Sequence, residues 1–296
     1  MAGLDHIVHC TGNFDGLRTT MSQIGFTLTP PAEHPFGTGN SLVQLDGFFL
    51  EFLHLPNPHL VPQPGKGEFG FAAHNANYMK DGGEGISMLV FESADAAAEQ
   101  ARFVAEGLDT YKPFEFSRLA QQPDGEEVTV GFSLAFATHA DMPKAAFFYC
   151  QQHAPEYFWK AEYQRHANSA VKIGEVAMVG ANPLHYANFL VTLSQGDLVV
   201  SADNLVRVKT ERGALAMYSP EAFQTAYGFA APSLDEGPVL AGYRIEVSNR
   251  EVALNQLDDA RVSWRETPTG HAIGLRASSD RAAEVRRDDT GLGTEQ

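Results

Sequence analysis

Two side chains combine reactive type with an unexpected setting. His6 lies in the apolar run Leu4-Asp5-His6-Ile7-Val8, and Glu51 lies inside Phe48-Phe49-Leu50-Glu51-Phe52-Leu53. A carboxylate in such company is costly to bury alone, so Glu51 requires a cation, a set of hydrogen-bond donors or solvent. An imidazole in an apolar strand is either a hydrogen-bonded core group or a ligand. His9 has the opposite strand parity from His6 and reads as structural. His34 and Asn40 flank the Gly-rich stretch Pro35-Phe36-Gly37-Thr38-Gly39, which reads as a plain turn or as the edge of a binding site. His153 follows the apolar run Phe147-Phe148-Tyr149-Cys150. The two cysteines, Cys10 and Cys150, read as buried small hydrophobes, and His166 and Asn168 as packing groups in a link. There is no cysteine pair with zinc-finger spacing, no Gly-rich phosphate loop and no nucleophile elbow.

The elements that position these residues recur along the chain. Residues 4–11 read as a strand. Asn13 follows as a helix cap, and Leu17, Met21 and Ile24 share one helical face that ends at Gly25. Strands at 26–29, 41–45 and 48–55 complete a strand–helix–three-strand unit. The same order returns at 86–92, with Ser93 as cap, Ala97, Ala101 and Val104 as the helix face, and strands at 114–118, 127–138 and 145–151. The strand 127–138 alternates Val128, Val130, Phe132, Leu134 and Phe136, as a half-buried strand does. Third and fourth copies begin near 173 and 243 and are incomplete. In the third, a helix over 221–227 replaces the last strand. The Pro-, Gly- and Asn-rich residues 56–85 read as a long ordered excursion.

The expected fold class is therefore α+β. Four βαβββ-type modules, the last two degenerate, pair into two cupped mixed sheets with helices on the outside. The expected domains are residues 1–155, carrying the site, and 170–277, with a charged tail over 278–296 expected to fray. Paired modules form a cup into which side chains far apart in sequence point, as a metal site requires.

Composition narrows the partners. The chain of 296 residues is 44% apolar with 20 phenylalanines, enough for a sizeable core. Acidic residues number 37 against 21 basic, a formal charge of −16 that repels phosphate backbones and anionic lipid. Nucleic acid and membrane are thus poor partners, and a small molecule is the expected one. No stretch is long enough for a spanning helix, and the amino terminus lacks a charged-then-apolar export signal. Two cysteines ask for no oxidising compartment, so a cytoplasmic location is expected. Four copies in one chain can complete the pairing internally, leaving monomer and homodimer both open.

In Leu4-Asp5-His6-Ile7-Val8-His9, Glu33-His34-Pro35-Phe36-Gly37-Thr38-Gly39-Asn40, Phe49-Leu50-Glu51-Phe52-Leu53, residues 82–88 and Phe147 to His153, the sequence resembles the vicinal oxygen chelate superfamily and its glyoxalase-like domain proteins. The resemblance implies a divalent metal in the cup, held by His6 on the first strand and Glu51 on the fourth. An imidazole with a carboxylate suits a first-row ion such as Fe, Zn, Mn or Ni. It also implies two further ligands from the second copy. There the chain offers Ser87 and Met88 on the first strand, and Cys150 or Gln151 in the register matched to Glu51, none of them the expected His or Glu. His153 is the remaining candidate for a third ligand. The expectation is a metal-dependent lyase or isomerase in which Glu51 is catalytic and His34 and Asn40 orient substrate. It would transfer a proton, eliminate or isomerise next to adjacent oxygens. The alternative is a metal-free protein of the same fold that binds or sequesters a small molecule.

Overall fold

Alternating apolar residues build two separate mixed sheets, each curled around one concave face. The computed structural model describes residues 1–121, 127–260, 264–267 and 270–273, so the tail expectation for 278–296 lies outside the described residues. The first unit comprises β1 (Leu4–Cys10), α1 (Phe14–Gln23), β2 (Ala32–Glu33), β3 (Gly39–Gln44) and β4 (Phe49–His54). Asn13 caps α1 by accepting from the Gly16 N–H, and Leu17 and Met21 are its buried face. The chain then leaves α1 through Gly25 at φ 90°, where a side chain would be strained.

The excursion after β4 contains a helix that composition alone did not announce, α2 (Phe71–Tyr78). The second unit follows: β5 (Gly85–Ser93), α3 (Ala96–Glu106), β6 (Asp109–Thr110), β7 (Phe114–Gln121), β8 (Glu127–Thr138) and β9 (Ala146–Gln152). Two expectations for α3 are corrected. Its cap is Asp95, which accepts from the Ala98 N–H, while Ser93 instead accepts from the Asp95 N–H. Its buried face is Ala96 and Phe103, not Ala97, Ala101 and Val104, and Val104 is 61% exposed. The large Phe103 ring takes the core-facing position, and the helix rotates to seat it.

These strands form one nine-stranded sheet in the order β2-β3-β4-β1-β5-β9-β8-β6, with β7 also paired to β8. A local twofold relates its halves. His6 pairs with Val90 and Val8 with Met88, about a centre where Ile7 meets Leu89. His6 and Met88 therefore occupy equivalent places. The parallel pairs Val8 with Glu51 and Val90 with Phe148 make Glu51 the equivalent of Phe148. The register expected from the Phe48-Phe49 match, with Cys150 or Gln151 in that place, is corrected by two to three residues.

After α4 (Pro155–Phe158), the second sheet is built from β10 (Ala170–Val179), α5 (Ala187–Ser194), β11 (Asp197–Ala202), β12 (Leu205–Lys209), β13 (Ala214–Tyr218), α6 (Pro220–Tyr227) and β14 (Val239–Val247), in the order β11-β12-β13-β10-β14. α7 (Arg250–Asp259) and the hairpin β15 (Trp264–Thr267) and β16 (Gly270–Ile273) complete the described chain. His166 and Asn168 tie the link to the first unit, His166 at the Gln44 carbonyl (2.8 Å) and Asn168 at the Ile24 carbonyl (2.8 Å). One continuous apolar core joins Leu4, Ile7 and Tyr149 of the first sheet to Val176, Met178 and Leu190 of the second unit, so the convex faces share a core. Both concave faces carry their own separate apolar clusters. Among the described residues no helix is long and apolar enough to cross a membrane.

Candidate active site

Parallel pairing of β1 with β4 sets the site. It places Val8 beside Glu51, and strand alternation then turns His6 and Glu51 into the same concave face. His6 Nε2 lies 3.8 Å from Glu51 Oε2. The register of β1 against β5 slips between Leu4 and His6, leaving Asp5 as an extra residue. Such a bulge re-aims its side chain, and here Asp5 Oδ2 meets His6 Nδ1 at 2.6 Å. Because a carboxylate accepts only, Nδ1 carries a proton and donates to Asp5, and Nε2 faces the cup. The imidazole is further fixed by stacking on Phe49, 4.1 Å between centroids, and by an edge contact with Phe148.

On the other side, Asn40 Nδ2 donates to Glu51 Oε1 at 2.7 Å and lies 3.4 Å from His34 Nε2. His34 Nδ1 meets Thr38 Oγ1 at 2.8 Å, so the Gly-rich loop holds the ring from behind. A polar chain thus runs Asp5, His6, Glu51, Asn40, His34, Thr38 along one wall. The remaining wall is phenyl: Phe49, Phe71, Phe116, Phe132, Phe148 and Phe158 line a cavity of about 50 Å³ together with Arg118 and Cys150.

Burial dominates the electrostatics. It raises the Glu51 carboxyl above its ordinary pKa, against the opposing pull of His6, the Asn40 hydrogen bond and Arg118. It lowers His34 to about 3, helped by Arg118, so this ring stays neutral. It pushes the Cys150 thiol well up, with Asp5 and Glu51 adding to the effect.

Of the residues singled out in the sequence, His6, Glu51, His34 and Asn40 all line this cavity. His153 does not join them. Its Nε2 meets Ser133 Oγ at 2.8 Å, and Ser133 alternates with the cup-lining Phe132 and Leu134, so His153 lies on the convex side and is out of Glu51's reach. His9 also faces that side, against Phe52. Among the described residues no group of three or more His, Cys, Asp or Glu is arranged to hold a metal ion. Two contributors escaped the sequence reading. Asp5 was hidden because its parity opposes His6 until the bulge turns it. Arg118 was hidden because β7 joins the cup only through its pairing with β8.

The fold and this site define a vicinal oxygen chelate protein, with paired modules and a His–Glu pair in the cup. The profile of the glyoxalase-like domain family matches residues 4–194, and the chain belongs to that family. No curated protein matches the sequence. Among solved structures, a hypothetical protein from Staphylococcus aureus superposes with a TM-score of 0.58 at 15% identity, over 75% of this chain and 88% of that one. A mutant of 4-hydroxymandelate synthase from Streptomyces coelicolor superposes with a TM-score of 0.55 at 12% identity, over 90% of this chain and 77% of its own. At these identities the likeness is one of fold.

Proposed function

We propose that the chain is an enzyme that moves a proton beside an oxygen-bearing carbon of a small molecule, in an isomerisation or an elimination, within the N-terminal cup. One observation carries this reading: His6 Nε2 faces Glu51 Oε2 across 3.8 Å in the cup. An imidazole nitrogen and a carboxylate oxygen held so close in an apolar surround favour a shared positive centre, a proton included. A divalent cation or the acidic hydrogen of a substrate answers that need.

The donor set suits such an ion. His6 is backed by Asp5, the usual outer partner of a metal-binding histidine, and Glu51 adds a carboxylate oxygen. At ligand distances of about 2.1 Å, one first-row ion can touch both atoms. His6 and Glu51 would hold it, and when bound it would polarise adjacent substrate oxygens. The protein's own groups supply the rest. Glu51, its affinity for a proton raised by burial, takes or returns a proton nearer neutrality than an ordinary carboxylate. Asn40 fixes the Oε1 side so that Oε2 is the working oxygen. The phenyl walls and α2 exclude water. His34 orients Asn40 and presents a neutral ring to the bound molecule. The two cysteines are free and buried, in keeping with the reducing cytoplasm.

A second reading rests on Met88 and Phe148, which stand where the second module would place its ligands. They make the far half of the cup apolar, as a metal-free protein that sequesters a small molecule would have it. Metal analysis separates the two. Protein dialysed against Zn, Mn, Fe or Ni should retain about one ion per chain, and Glu51→Gln should lose it. Equal metal content in both forms overturns the ligand assignment. A metal-free cup that still takes a ligand moves the conclusion to sequestration.

A further inference from the structure

We propose that the molecule taken by the cup is a small carboxylic acid and that Arg118 holds its carboxylate. Among the described residues Arg118 is the one lining side chain with a permanent positive charge, and it is half-buried beside the phenyl rings of the wall. Burial disfavours that charge, and the Glu51 carboxylate favours it. Yet Arg118 forms no ion pair among the described residues. Its hydrogen bond there runs from Nη1 to the Leu119 carbonyl at 3.4 Å, so contacts with the described residues engage one of the five guanidinium donors. A desolvated guanidinium with spare donors is matched by a planar anion that accepts two parallel N–H···O bonds.

The neighbouring groups narrow the choice. His34 is neutral, so it adds no positive charge to hold an anion beside Arg118. A chain of net charge −16 does not draw anions by its overall field, so the pull has to be local. The phenyl walls favour a planar carboxylate carried on a compact apolar body. With its carboxylate on Arg118, the acid turns its remaining atoms toward Oε2 of Glu51 and Nε2 of His6. This names the substrate class of the function proposed above and rests on the cup being a ligand site.

The test is calorimetric titration of the full chain with matched acid and amide pairs, isobutyrate with isobutyramide and benzoate with benzamide, before and after treatment with EDTA. The acid should bind roughly tenfold or more tightly than its amide. Arg118→Gln should abolish that preference in both preparations, whereas Arg118→Lys should keep part of it. Thermal unfolding of both variants checks that the fold is intact, because a purely structural role would not change the acid-to-amide ratio. Equal binding of acid and amide, or binding of neither, overturns the proposal. A preference that survives Arg118→Gln but vanishes with EDTA assigns the carboxylate to a bound ion, overturning this proposal and leaving the metal reading standing. A preference that needs Arg118 in a protein retaining no metal upholds it and overturns the metal reading.

Discussion

Single side chains in this cup are defined by what their neighbours do to them. Asp5 holds one nitrogen of His6 and leaves the other facing the cup, and Asn40 occupies one oxygen of Glu51 and leaves the other free. The neutral histidines make a testable contribution to stability. Burial lowers His34 to about 3 and His9 to about 4, against about 6.5 for the unfolded chain. The unfolded state therefore binds protons first as pH falls. Stability is full above about pH 6.5 and is lost progressively toward pH 4 and below. His9 also has a buried Nδ1 with no hydrogen-bond partner. His9→Phe should keep the aromatic contact with Phe52, remove that unsatisfied atom and flatten the fall between pH 6.5 and 4. Denaturant unfolding at a series of pH values measures this slope, and an unchanged slope in the variant would rule the account out.

Among the elements, α2 decides whether the site is a cup or an open sheet. It sits in the excursion between the first two units and contributes Phe71 to the cavity wall. Its anchor is the fully buried Asn75. The Asn75 Oδ1 accepts from Ser87 Oγ at 2.6 Å and from Cys10 Sγ at 3.0 Å, and its Nδ2 donates to the Phe71 carbonyl at 2.9 Å. Replacing Asn75 by Ala leaves the Ser87 hydroxyl and the Phe71 carbonyl short of a partner in an apolar surround. A loss of about 1–3 kcal/mol is expected. Because the helix gives the wall Phe71 and none of its polar groups, the same variant should weaken ligand binding while leaving Glu51 in place. Denaturant midpoints and titration with the acid probes together check both parts.

At the scale of the whole molecule, two cups share a core at their backs and have different fates. In the second cup, α6 fills the concave face, with Phe223 and Tyr227 packed on Ala177, Val179 and Ala216. Its acid, Glu175, lies on a first strand as His6 does, but it is saturated. Arg207 Nε donates to it at 2.7 Å, Tyr218 and Tyr227 donate at 2.7 and 3.1 Å, and Arg244 lies at 3.7 Å. Glu246, the other acid on a first strand, pairs with Lys172 at the surface. The contacts of Glu175 thus all lie within the second unit. Glu175→Ala strands two arginines without their counter-charge and should cost about 3–5 kcal/mol in unfolding experiments. It should leave metal content and probe binding of the first cup unchanged, and any change there would contradict the division of roles.

The repeat, the mixed sheets and the unusual settings of His6 and Glu51 were legible in the sequence, because strand alternation, helix caps and a carboxylate among phenylalanines are local signals. So were His34 and Asn40, whose loop lies beside the strands that carry the site. Tertiary structure alone decided the rest. The bulge at Asp5, the register that makes Phe148 the counterpart of Glu51, the turning of His153 to the convex side and the arrival of Arg118 all depend on how distant strands pair. A shift of one residue in such pairing moves a side chain from one face to the other, and no local pattern records it.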